Sequence, residues 1–225
     1  MKLLISAILI LTVQYSTRAQ TTRTLLQGEI LYGKVKKIAE MQYRERLATE
    51  QPTIFNSAVT DTTFYDENGN TTERHVKANG VIYNFVYTTE FDKRGKKLKT
   101  TCDKGVLTYD KKGNMIKFDQ YDKAGGNFIA EDKHKYDSHN NMIEFTSYNN
   151  KGYLTFKKVF KYNDKNQPIE EKNYANDGTL SYTVFYTYNA FDENGNWTQR
   201  TLSDKFENGA QGSPLITTRQ ITYYQ

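Results

Sequence analysis

The residues of this chain whose chemistry could matter are three histidines, one cysteine, one tryptophan and a recurrent set of aspartates. His75, His134 and His139 could ligate a metal or move a proton. They stand apart, without the close spacing that brings two ligands onto one ion, and read as solvated side chains in turns or polar strand positions. Asp66, Asp92, Asp110, Asp137 and Asp192 each stand three residues before a Gly or Asn. Carboxylates in such phrases suggest calcium, but the distal Glu that completes an EF-hand loop is missing, so they read as turn formers. Cys102 has no partner for an intramolecular disulfide and reads as a structural thiol, because a reactive one needs an electropositive, partly exposed setting. HExxH, G-x-S-x-G, Walker A and the dinucleotide glycine fingerprint do not occur. No catalytic residue, no metal site and no cofactor is therefore assigned. Carboxylates are plentiful, however, and a glycosidase needs only two flanking a bond, which leaves a glycan-acting enzyme as one alternative.

Aromatic side chains are the other candidates. The chain has 18 Tyr and 12 Phe but a single Trp. Flat rings stack on sugars or anchor a protein partner, and Tyr and Trp combine apolar area with a polar tip. A stripe of rings at every second position reads first as core. Trp197, directly after a turn, is expected to be reachable, and with Tyr182 and Tyr186 as neighbours it forms the candidate ligand-binding set.

The elements that must position these residues are written in a repeat. Strong turn phrases read YDENGN from Tyr65, FDKRGK from Phe91, YDKKGN from Tyr109, YDSHNN from Tyr136, YNDKNQ from Tyr162 and FDENGN from Phe191, at spacings of 26, 18, 27, 26 and 29 residues. Weaker turn phrases end near Gly80, Gly105, Gly126, Gly152, Gly178 and Gly209. An Asp or Asn that bonds its own backbone two residues on, followed by a residue tolerant of positive φ, is the chemistry of a tight hairpin. Between turns the residues alternate in period two. Leu180, Tyr182, Val184, Tyr186 and Tyr188 share one face, with Ser181, Thr183, Thr187 and Asn189 opposite. Residues 28–46 read as strand, Ala48 to Asn56 as a loop, Gly209 to Pro214 as a second loop and Leu215 to Tyr224 as the closing strand. The fold class expected is all-β, an antiparallel meander of about 12 hairpin-connected strands, strongly twisted and curled toward a half-cylinder or barrel. Tyr and Phe should lie inside, with Lys, Glu and Thr outside. An outer-membrane barrel needs the reverse, a continuous apolar outer band, which Asn70 to Lys77 and Glu131 to Lys135 lack.

The Y-D-x-x-G-N phrase with a second turn about a dozen residues later resembles the YD repeat of RHS and teneurin proteins, over roughly Phe64 to Trp197. In that family many repeats wind into a hollow shell around a polypeptide, often a toxin. This chain has about five units and neither a large flanking domain nor an effector region. It is also similar to short secreted bacterial proteins built almost wholly from YD-like hairpins, which implies an envelope location.

Lys2, an apolar run from Leu3 to Val13 and the sequence Thr17-Arg18-Ala19 predict a signal peptide over residues 1–19, ahead of a single repeat domain over 20–225 whose clearest repeats span 64–197. No later stretch is apolar enough to span a membrane as a helix. Without Lys2 and Arg18 the chain carries 29 basic residues against 26 acidic, a balance that does not point to nucleic acid. The function expected is an exported binding or scaffold protein, periplasmic or extracellular, that is not an enzyme and holds a glycan or an envelope protein. A periplasmic immunity or antitoxin-like protein is a further alternative.

Overall fold

The computed structural model describes residues 21–23, 29–44, 59–123 and 125–225. The expected leader and the loop from Ala48 to Asn56 lie outside the described residues. Two short strands, β1 (Thr21–Arg23) and β2 (Ile30–Tyr32), pair with each other. The remaining strands form one antiparallel sheet. They are β3 (Val35–Arg44), β4 (Val59–Tyr65), β5 (Thr71–Ala78), β6 (Val81–Val86), β7 (Thr88–Phe91), β8 (Lys97–Cys102), β9 (Gly105–Tyr109) and β10 (Met115–Tyr121). They continue with β11 (Phe128–Tyr136), β12 (Met142–Asn149), β13 (Leu154–Tyr162), β14 (Pro168–Tyr174), β15 (Leu180–Phe191), β16 (Trp197–Phe206) and β17 (Leu215–Tyr223). The sheet has 15 strands rather than about 12, because the compressed stretch from Val81 to Tyr109 folds into four short ones. Among the described residues there is no helix, and so none long and apolar enough to cross a membrane.

The expected meander holds from β3 to β17 with one long-range seam, where β17 inserts between β16 and β3, matching Ile221 with Ile38. The sheet is nearly closed into a barrel. Its two edge strands, β6 and β7, are consecutive in the chain and separated only by Tyr87. The Asn79–Gly80 turn, with φ of 51° and 78°, pairs Val81 with Ala78, so odd-numbered residues of β6 bond β5, and the Tyr87 N–H continues this by donating to Thr72 O. On β7 the Asp92 N–H donates to Lys96 O, so even-numbered residues face β8. One stretch of chain thus bonds β5 along its first half and β8 along its second, on opposite flanks.

All six strong turns lie at one rim, because every unit is a hairpin pair. Each uses the same bonds: Asp137 Oδ1 accepts from the Asn141 N–H at 2.8 Å, as Asp192 does from Asn196 at 2.9 Å. Gly195 sits at φ 84°, where a side chain strains the backbone; Asn140 and Asn166 adopt the same left-handed form at 65° and 57°. The last residue of the phrase ties neighbouring turns together. Asn114 Nδ2 donates to Asn140 Oδ1, and Asn141 Nδ2 to Asn166 Oδ1. After each strong turn one residue bulges, among them Leu98, Ile116, Ile143 and Ile169, and these four are exposed. The carbonyl just before the bulge is bonded from the next unit: Tyr136 Oη donates to Met115 O at 2.7 Å, Tyr162 to Met142 at 2.8 Å and Tyr188 to Pro168 at 2.9 Å. Recurrent tyrosines are therefore inter-repeat rungs as well as apolar filling. Phenylalanine cannot make that bond, and Phe91, Phe185, Phe191 and Phe206 are exposed, against the expectation that both ring types lie inside.

Candidate functional site: a charged cavity inside the barrel

Period-two alternation along β13 to β15 points Phe156, Lys158, Phe160, Tyr162, Glu171 and Tyr186 into the barrel, where with Arg200 of β16, Met142, Phe145, Pro168 and Glu29 they line a cavity of about 220 Å³. The walls are mainly rings. The charges are paired: Lys158 Nζ lies 2.9 Å from Glu171, which also accepts from Tyr186 Oη at 2.6 Å. Arg200 Nη1 lies 2.7 Å from Glu29 Oε1, while Arg219 reaches the other Glu29 oxygen with Nη2 and Glu40 with Nε. Both guanidinium groups stack on the Trp197 ring, Arg200 at 4.2 Å and Arg219 at 3.5 Å from its centroid. Glu29 comes from the chain just before β2, outside the large sheet. The sheet's buried arginines are thus neutralised from a distant part of the sequence.

This pairing fixes the protonation states. Burial alone would raise the Glu29 carboxyl, but Arg219 and Arg200 together with their hydrogen bonds pull it below its ordinary value. Glu171 behaves likewise, with burial opposed by Lys158 and the Tyr186 hydroxyl. Burial raises Tyr186, and the neighbouring Glu171 raises it further. At neutral pH the cavity therefore presents ionised carboxylates and neutral phenols. Neither cavity carboxyl is held protonated, as a general acid must be. The arrangement is suited to holding a small molecule against ring faces.

Of the sequence-predicted site residues, Tyr186 lines this cavity and Trp197 lies behind it, joined to Tyr186 through Arg200, which stacks on both. Trp197 is not reachable as expected. It is 5% exposed, because residues 29–32 cover the rim beside its turn: Tyr32 N–H donates to Asn196 Oδ1, and Trp197 Nε1 faces Glu29. Tyr182 is not part of the cluster; its ring lies against Phe206, away from the cavity lining. Glu29, Lys158, Glu171, Arg200 and Arg219 escaped sequence reasoning, since charged residues between turns read as the outer face. Arg200 faces inward because the bulge at Thr198 shifts its register by one.

His134 is a second correction. It is buried, its Nδ1–H donates to the Met115 carbonyl at 3.1 Å, and burial lowers its pKa to about 4. Cys102 is half-buried, and burial raises its thiol pKa. The aspartates of the strong turns accept backbone N–H bonds as expected, and among the described residues no group of three or more His, Cys, Asp or Glu could hold a metal ion.

No protein-family model matches the chain, and no curated protein matches it. Among solved structures it is similar to a porin-like protein from Bacteroides uniformis ATCC 8492, with 13% identity and a TM-score of 0.46 over 84% of this chain and 96% of that one. It is also similar to a chain of the TcdB2-TccC3-Cdc42 structure, with 14% identity and a TM-score of 0.33 over 84% of this chain and 11% of the other.

Proposed function

We propose that the protein is an exported binding protein of the bacterial envelope, without enzymatic activity, that takes a small polar molecule with a flat apolar face into the barrel. The observation that carries this reading is the cavity itself: ring-lined, closed in by Tyr162 and Tyr186, and bordered by Lys158–Glu171 and Arg200–Glu29 pairs that offer hydrogen bonds while cancelling in charge. A single sugar unit fits that chemistry, since rings take its C–H face and the paired charges take its hydroxyls. The resemblance to YD-repeat proteins and the leader-like N-terminus support the location.

Trp197 shares Arg200 with the cavity, so its fluorescence reports occupancy. Titration with mono- and disaccharides of envelope glycans is expected to change that emission saturably. Phe160→Ala and Phe156→Ala variants should weaken the response while retaining the β-sheet spectrum. Product release from any of these sugars would overturn the non-enzymatic reading. An unchanged emission across the set would overturn the sugar assignment.

A further inference from the structure

Strand β6 combines an uncharged sequence with an open edge of the sheet. From Val81 to Tyr87 the sequence VIYNFVY contains no charge and no proline. Exposure is 50% at Val81, 62% at Ile82, 50% at Tyr83 and 66% at Val86. The odd-numbered residues spend their backbone groups on β5, which leaves the N–H and C=O of Ile82, Asn84 and Val86 on the free flank. An edge of this kind pairs with another strand unless it is blocked by charge, proline or a bulge, and β6 carries none of these. The other edge, β7, is only 4 residues long and contains Glu90.

We propose that β6 is a dimerisation strand whose occupant is β6 of a second copy, paired antiparallel about Asn84. The sequence of the strand selects that occupant. With even-numbered residues forming the new bonds, a two-fold axis through Asn84 sets Ile82 against Val86 of the second copy and Tyr83 against Phe85. Asn84 meets Asn84, and a carboxamide is its own hydrogen-bonding complement because it both donates and accepts. Apolar residues meet apolar residues on both faces, and no like charges come together. Val86, Asn84 and Ile82 pair with Glu73, His75 and Lys77 of β5, so the charged groups stand one row back from the new contact. A single added strand pair buries less than a standard interface, which places the affinity in a range of about 1 μM to 1 mM.

Sedimentation of the purified protein over that concentration range tests the proposal. The wild type is expected to pass from monomer to dimer. Asn84→Pro removes an N–H that no described strand of the monomer uses, so it should abolish the dimer. Asn84→Asp sets two carboxylates against each other at the axis; its dimer should weaken at least about tenfold at pH 7 and return below about pH 4, as the pair protonates. The wild type over the same pH range is the control for the charged groups one row back, Glu73, His75 and Lys77. A wild type that stays monomeric throughout overturns the proposal, as does an Asn84→Pro variant that dimerises as well as wild type. If Asn84→Pro also lowers the melting temperature, the pH profile of Asn84→Asp decides, and a profile parallel to wild type is the overturning result.

Discussion

The two rims of the barrel are built from the same kind of turn and end up with opposite properties. At one rim the turns are cross-linked sideways: buried Asn114 and Asn141 bond the next turn, and Asn196 Nδ2 donates to the Tyr32 carbonyl and to Tyr223 Oη. At the other rim the turns bond mainly within themselves. Asn149 Oδ1 accepts from Lys151 and Tyr153, and Asp177 Oδ1 from Thr179. There the residues are exposed, Tyr153 to 68% and Ile82 to 62%. Local turn chemistry is shared, so it does not explain the difference. One extra side chain, the Asn that ends the phrase, joins the three neighbouring turns that hold Asn114, Asn141 and Asn166. The N-terminal residues then seal that rim by bringing Glu29 to the arginines.

The contrast breaks most severely at Glu29. Glu29→Ala leaves Arg219 and Arg200 with less counter-charge in an almost dry setting and is expected to cost about 3 to 5 kcal/mol in chemical denaturation. The tryptophan emission should shift to the red as the rim opens. An unchanged denaturation midpoint would mean that the N-terminal segment does not seal the rim.

Acid probes the bonded side next. His134 titrates near its ordinary value when unfolded but at about 4 when folded, so between about pH 6.5 and 4 the unfolded chain binds the extra proton. Its contribution is full above pH 6.5 and is lost as pH falls toward 4, by roughly 2 to 3 kcal/mol. Glu29 and Glu171, whose pKa values are lowered, add their own losses only as pH falls below the ordinary carboxylate range. Replacing His134 by Gln should flatten the upper part of the profile and leave the lower part, as read from melting temperature against pH.

The smallest effects sharpen the comparison between rims. Asn141→Ala removes the donor shared by Asp137 and Asn166 and is expected to cost about 1 to 3 kcal/mol. Asp177→Ala, in a fully exposed turn of the other rim, should leave the melting temperature unchanged. Equal effects at the two sites would show that the sideways bonds contribute nothing.

The hairpin architecture was legible because its signals are local: Asp followed by Gly or Asn marks turns wherever tertiary context allows, and the alternation along β15 sorts Tyr182, Val184 and Tyr186 from Ser181 and Thr187 as the structure does. The strand count fell short partly because the 26-residue spacing from Tyr65 to Phe91 holds three strands, β5, β6 and β7, where the other units hold two. The cavity was not legible for a different reason. Arg200 changes face only through a bulge, and Trp197 is covered by residues about 165 positions earlier, contacts that no local pattern encodes.

The seam between β17 and β3 bears on how this molecule can come into being. Residues 35–44 pair with β4 on one flank but find their partner on the other only in residues 215–223, so the first long strand of the sheet keeps that flank open until β17 has been made. Every intervening hairpin can zip onto its neighbour as it emerges, but the ring is locked by the final strand sliding between two preformed edges. Such a closure is slow, because the entropy of the whole loop is lost before the last contacts compensate for it. A chain ending before Leu215 would leave β3 and β16 both unsatisfied, two further adhesive edges where β17 otherwise joins them.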